Sequence, residues 1–340
     1  MPRRLKLAAL VASTVATALV LAGCAGGSSA ESTSSAEADA GGPVTIEHAF
    51  GETTVPADPQ RVVTLGWGST DAAIALGTIP VAIPFDSYAG NSDGVLPWVA
   101  DALDKAGVDT PTVLPESPDE PPYEAIAAAD PDVILAVYSG ITEEQYETLS
   151  QIAPTVAYPD QAWSTPWRDV VTTVGKALGK SAEAETVLAD IDSQIAAAAA
   201  AHPEFKGKTI AAVVDSAGTF YVYKKEDPRV EFLLDLGFVN APSVDELANG
   251  DSTFYYTLSY EQLDKLSSDV LVDYATTQDE ADSFLTAPQT SVIPAVASGH
   301  VAQVVGTSNI SAVSPPTALS LPWGLDSLVD ALAAATAGTK

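Results

Sequence analysis

The chain of 340 residues has one cysteine, Cys24, and one methionine, Met1. A lone thiol excludes any disulfide framework within the monomer. With no methionine beyond the first residue, a thioether cannot serve as an axial haem ligand. Only three histidines are present, His48, His202 and His300, too few and too scattered for the convergent imidazole and carboxylate sets of a zinc or manganese site. Positive charge is scarce as well: 15 Lys and Arg face 45 Asp and Glu, giving a formal net charge of −30. A field of that sign repels nucleic acid and anionic lipid surfaces, so neither is an expected partner. Catalytic signatures are missing too. No G-x-S-x-G elbow occurs, and Gly66-Trp67-Gly68-Ser69-Thr70-Asp71 lacks both dinucleotide-binding spacing and a Walker lysine. Nucleophile, base and oxyanion donors in a recognisable order are absent, so no enzyme is expected. Nor is there an apolar run of the ~20 residues that a spanning helix needs.

The N-terminus is nevertheless informative. Arg3, Arg4 and Lys6 precede an uncharged, mostly apolar run from Leu7 to Leu21, the basic and apolar regions of a secretory signal. The run ends in Leu21-Ala22-Gly23-Cys24, which resembles the bacterial lipobox, where cleavage before the cysteine is coupled to its acylation. Residues 1–23 are therefore expected to be a lipoprotein signal peptide and Cys24 the lipid attachment point. This would hold the protein on the extracytoplasmic face of the cell membrane by its acyl chains alone. Residues 24–42 are rich in Gly, Ser, Ala and Glu, cannot bury enough apolar surface to fold, and read as a flexible tether.

Beyond the tether, short β-branched runs alternate with Ala/Leu-rich stretches, the pattern of an α/β protein with mainly parallel strands. It occupies 43–165 and resumes over 203–340, two expected lobes. Between them, 166–202 contains no proline after Pro166 and reads as one long helix, some ~50 Å if unbroken, with Gly175 and Gly179 weakening it modestly. The lobes echo one another: Tyr123-Glu124 followed by Asp132-Val133-Ile134 recurs as Tyr260-Glu261 followed by Asp269-Val270-Leu271. Each time a helix opens with Tyr-Glu and leads to a buried strand after Asp.

In order and spacing, Pro59-Gln60-Arg61-Val62-Val63, Ala129-Asp130-Pro131-Asp132-Val133-Ile134-Leu135, Tyr138-Ser139-Gly140, Ile152-Ala153-Pro154-Thr155-Val156, Gly175-Lys176-Ala177-Leu178-Gly179, Leu236-Gly237-Phe238 and Ser259-Tyr260-Glu261-Gln262-Leu263 resemble the iron-siderophore binding proteins of ABC importers, relatives of the ferrichrome and cobalamin binding proteins. The resemblance implies two Rossmann-like lobes joined by a single long rigid helix, with the ligand cleft between them. It implies a monomer that captures a ferric siderophore, needs no cofactor, and delivers its cargo to a permease dimer. It also assigns Glu124 and Glu261 to docking on arginines of the two permease subunits. The alternative is helix capping, since Ser259-x-x-Gln262 has the form of a capping box.

A ferric siderophore arrives fully coordinated, so its receptor needs aromatic walls and a few hydrogen-bond donors rather than metal ligands. Candidates in places that should face the cleft are Trp67, Tyr88, Tyr138 and Trp163 in the first lobe, Trp167 at the start of the connecting helix, and Tyr223, Tyr255 and Tyr274 in the second lobe. Trp67 and Tyr138 rank first because each lies just beyond a strand. For any one of them, core packing is the competing role. Beyond the signal the only arginines are Arg61, Arg168 and Arg229. Arg61 reads as structural, whereas Arg168 and Arg229 are candidates to hydrogen-bond ligand oxygens or, alternatively, surface partners of carboxylates. Two rival functions stand beside this one: haem binding through an axial Tyr or His, and, from another class, a surface-anchored α/β hydrolase.

Overall fold

The computed structural model describes residues 42–117, 119–250 and 252–338; the signal, Cys24 and the tether up to residue 41 lie outside the described residues. β1 (Val44–His48) and β2 (Gly51–Val55) form an antiparallel hairpin. β3 (Val62–Thr64), β4 (Ala82–Ile83), β5 (Thr112–Val113), β6 (Val133–Leu135) and β7 (Thr155–Val156) make a parallel sheet in the order β5-β4-β3-β6-β7. The second sheet follows β8 (Thr209–Ser216), β9 (Thr219–Tyr223), β10 (Val239–Asn240), β11 (Tyr255–Leu258), β12 (Val270–Ala275) and β13 (Val301–Val305). Its path is β11-β9-β8-β12-β13, with β10 also pairing β8. β3, β6 and β12 are buried at every position, as parallel strands covered on both faces must be.

The repeat in the sequence is a repeat in space. The order β4-β3-β6-β7 in the first sheet is matched by β10-β8-β12-β13 in the second. Asp132 and Asp269 serve as equivalent ties: Asp132 accepts the N–H groups of Gln60 and Arg61 at 2.8 and 2.9 Å, and Asp269 accepts the N–H and hydroxyl of Thr209 at 2.8 and 2.9 Å. Each joins the start of one strand to the start of its parallel neighbour. The helices differ, since Tyr123–Ala128 is α-helical and Tyr260–Lys265 is a 3₁₀ turn. The capping box expected at Ser259 does not form. In the tighter turn the N–H of Gln262 is taken by the Ser259 carbonyl at 2.9 Å, leaving no donor for the side chain.

Residues 166–202 also depart from expectation, being two helices rather than one: Trp167–Ala177 and Ser181–Ala201. Gly179 stands between them at φ +66°, a left-handed conformation that glycine adopts without steric cost. The Lys180 ammonium donates to the Leu76 carbonyl at 2.8 Å, and a methyl on Gly175 would lie 2.6 Å from the Ala184 methyl. These glycines are thus the chain break and the packing point of two adjacent helices. Only the second helix, 21 residues and about 32 Å long, links the sheets.

One apolar cluster runs through both lobes, combining Val62, Val133 and Leu135 of the first sheet, Ile210, Val270 and Val272 of the second, Ile191 and Ile195 of the connecting helix, and Leu321 to Ala335 of the C-terminal helix. Polar contacts reinforce it where the segment after β13 meets the first lobe. Trp67 Nε1 donates to the Pro315 carbonyl at 3.0 Å, and Ser308 Oγ donates to the Ala89 carbonyl at 3.2 Å. At the centre, buried Asp71 accepts the Thr317 hydroxyl and, at 2.6 Å, the indole N–H of Trp98.

Burial pushes the Asp71 carboxyl up to about 6 against the pull of those two donors. The folded protein therefore holds this proton up to about pH 6, whereas the unfolded chain releases it near 3.8. Stability from this group is whole below the lower value and is lost as pH rises through the higher one. Asp71→Asn keeps the acceptor oxygen but cannot ionise. Between pH 4 and pH 7 the parent should lose roughly 2 kcal/mol of stability relative to this variant, measured by denaturant unfolding of both proteins. A difference that does not change with pH would show Asp71 to be unperturbed.

Candidate functional site: the interlobe cleft

The first-lobe wall is built from loops at the carboxyl ends of parallel strands, where open α/β sheets place their ligands. Trp67 follows β3, Tyr138 follows β6, and the two loops are joined by the Trp67 N–H donating to the Tyr138 carbonyl at 2.8 Å. After β7 the chain returns to place Trp163 at φ +58°, its N–H on the Ser139 carbonyl at 3.0 Å. The indole rests on bare backbone, because a Cβ at Gly140 would stand 2.1 Å from Trp163 Nε1. Tyr138 meets Trp163 edge to face, with ring centroids 5.8 Å apart, and Trp163 remains 58% exposed.

The opposite wall starts from Asp227-Pro228-Arg229 at the head of the helix Pro228–Asp235. Asp227 is its N-cap, accepting the N–H of Arg229 at 3.0 Å, and its Oδ1 also lies 2.7 Å from Arg229 Nε. The guanidinium carbon sits 3.8 Å above the Tyr223 ring and 5.7 Å from that of Tyr274. Tyr274 in turn braces Tyr223 at 6.1 Å. Burial works against the Arg229 charge, but Asp227, Tyr223 and Tyr274 more than offset it and hold the group above its ordinary value. Burial also raises the Asp227 carboxyl, while Arg229 pulls it back down.

Between these walls lies a pocket of about 200 Å³ lined by Tyr138, Trp163 to Pro166, Glu226 to Arg229, Glu231, Thr253, Phe254 and Pro315. A narrow extension shares Tyr138, Thr165 and Pro315 with it and passes Trp67 and Trp167. The acidic recess of about 340 Å³ around Asp215, Asp273, Asp279 and Glu280 belongs to the second lobe alone. A recess of about 330 Å³ bounded by Phe85, Leu114 and Gly140 belongs to the first.

The structure brings together Tyr138, Trp163, Tyr223 and Arg229, and brings Tyr88 near them: Tyr88 is 51% exposed and its phenol feels both Glu280 and Arg229. The other expected residues stand elsewhere. Trp67 is half-buried against the common core with its N–H spent on Pro315, and Trp167 is a buried core residue with one edge on the narrow extension. Tyr274 supports Tyr223 from a buried position. Tyr255 packs on Tyr221 and Phe254 and lines neither the cleft nor its extension. Arg168, expected at the cleft, stacks over Trp167 at 4.3 Å and is paired with Asp192 at 2.6 Å and Asp235 at 3.4 Å, so its charge is consumed by neighbouring helices. Sequence reasoning missed Phe254 and Asp227; the Asp-Pro step before a helical run was the available signal for the latter. No histidine lines the cleft, for His48 bonds to Thr53, His202 to Glu204 and His300 to the Ala335 carbonyl. Among the described residues no cluster of three or more His, Cys, Asp or Glu is arranged to hold a metal ion.

Glu124 and Glu261 are both exposed. Glu124 lies two residues beyond Pro122, which lines the first-lobe recess. Glu261 follows Tyr260, whose hydroxyl donates to Asp215 near the end of β8 at 2.6 Å.

Known proteins resemble this chain in sequence and in fold. The Fe(3+)-citrate-binding protein YfmC of Bacillus subtilis is 29% identical over 87% of this chain and 88% of its own length. The probable siderophore-binding lipoprotein YfiY of the same organism is 30% identical over 77% of each chain. Streptococcus pneumoniae PiaA, solved in complex with ferrichrome, superposes with a TM-score of 0.77 at 33% identity, covering 87% of this chain and all of that one. The profile of a family of ligand carriers rather than enzymes, described as periplasmic binding protein, matches residues 62–304. With its two lobes, cleft and connecting helix, this chain belongs to the periplasmic binding protein family.

Proposed function

We propose that this chain is the extracytoplasmic receptor of an ABC importer, capturing an intact ferric siderophore in the interlobe cleft and delivering it to a permease. The observation that carries this reading is Arg229, mounted on Tyr223 and facing Trp163 and Tyr138 across a pocket walled by both lobes. That set offers N–H donors and aromatic faces to a complex whose iron is already coordinated. Relatives whose names specify Fe(3+)-citrate or a siderophore support it. Acylation of Cys24 tethers the receptor through residues 24–42, and the protein works as a monomer. Binding should quench tryptophan fluorescence, because Trp163 is exposed at the cleft. Trp163→Ala should leave the unfolding midpoint nearly unchanged and weaken binding by about 1 kcal/mol, or roughly fivefold. Unaltered affinity would remove Trp163 from the site, and a Soret shift on titration with haemin would favour haem as the cargo.

Glu124 and Glu261 are the docking residues of this reading. They occupy corresponding places in two repeats, and the common core and stiff connecting helix keep their separation nearly constant, so two carboxylates can gauge a symmetric permease. Glu124→Ala combined with Glu261→Ala should preserve ligand affinity and abolish uptake in cells, each single change giving a partial loss. Normal uptake by the double variant would leave them as helix-end charges; lost ligand binding would place them in the cleft.

A further inference from the structure

We propose that the cleft selects ferric chelates without net negative charge, and that the ion pair of Asp227 with Arg229 sets this selection. The proposal rests on the siderophore reading above and names the class of complex that the same site accepts. Ferric trihydroxamates satisfy it, because three singly charged hydroxamates neutralise the metal and a pendant amine makes the complex cationic. Ferric tricatecholates, with three doubly charged ligands, do not.

The inference comes from the charges that face the pocket. Its lining contains one cation, Arg229, and three carboxylates, Glu226, Asp227 and Glu231. The cation is not free to act as a net charge, for Asp227 lies 2.7 Å from its Nε and is 1% exposed. A ligand approaching the guanidinium therefore meets a dipole with N–H donors, backed by negative charge. Of the cations nearby, Arg168 is paired with Asp192 and Asp235, whereas Lys224, which donates to the Ser252 carbonyl, and exposed Lys225 keep their charges but stand outside the pocket lining. Glu231 feels the surrounding negative field, its carboxyl raised by burial and then by Asp235 and Asp227. A trianionic chelate would enter a desolvated cleft against this field, whereas a neutral or cationic one would keep the Arg229 hydrogen bonds and the aromatic contacts without that repulsion.

The pair can be altered without removing the cap. Asn is as good an N-cap as Asp, so Asp227→Asn retains an acceptor for the Arg229 N–H while leaving the guanidinium charge uncompensated. The full-length purified protein is titrated by tryptophan fluorescence with a neutral ferric trihydroxamate, a ferric trihydroxamate bearing a free amine, and a ferric tricatecholate at equal ionic strength. The first two should bind at least tenfold more tightly than the third. In Asp227→Asn that ratio should shrink by tenfold or more, chiefly through gain of tricatecholate affinity. Should that variant fail to fold, Glu226→Gln with Glu231→Gln should shift the ratio in the same direction by a smaller factor. Equal or tighter binding of the tricatecholate by the parent overturns charge selection and leaves the siderophore reading intact. Binding of none of the three overturns both. A ratio unmoved by Asp227→Asn, with the variant folded, removes the pair as its determinant.

Discussion

A carboxylate with 2% of its surface exposed holds the two lobes in register. Asp71, on a first-lobe helix, is bonded by Trp98 from its own lobe and by Thr317 from the segment that follows the second sheet. Breaking such a node leaves buried donors without partners, at a cost of about 1–3 kcal/mol for each. The apolar cluster around it is shared by both sheets, the connecting helix and the C-terminal helix. Lobes joined by a common core do not swing apart as those on flexible strand crossovers do. The cleft in front of this junction is thus largely preformed, which lowers the ordering cost of binding.

Preformation explains how so few polar groups can serve the site. Arg229 is fixed by three things at once: the cap made by Asp227, the face of Tyr223, and Tyr274 behind it. Trp163 is fixed by the backbone on which it lies, since residue 140 has no side chain to displace it. One wall presents donors and the other an aromatic surface, so on the proposed reading neither must reorganise to meet a rigid chelate. Asp132 anchors the strands from which the first wall rises, and the equivalent Asp269 anchors the two central strands of the second sheet.

Much of the architecture was legible in the sequence because it rests on periodicity and spacing. The recurrence of Tyr-Glu and Asp-Val at a fixed interval marked two repeats, and these carry equivalent strand orders and equivalent aspartate ties. The break at Gly179 was not legible, because a glycine costs an isolated helix only about 1 kcal/mol and here the packing of Gly175 against Ala184 decides. Position after a strand located Tyr138 and Trp67 alike, yet could not reveal that one faces the pocket and the other spends its N–H on Pro315. Arg168 and Arg229 were indistinguishable as residues in an acidic chain. They part in three dimensions according to which carboxylates surround them: two on neighbouring helices for Arg168, and a single buried one at the cleft for Arg229.

The most direct test of this account is the structure of the protein bound to a neutral ferric trihydroxamate. The account places the chelate between Trp163 and Tyr138 on one side and Arg229 on the other, with a guanidinium N–H on an iron-bound oxygen and every iron ligand supplied by the siderophore. A protein side chain coordinating the iron, or a chelate seated in the acidic recess beside Asp215 and Asp273, would contradict it.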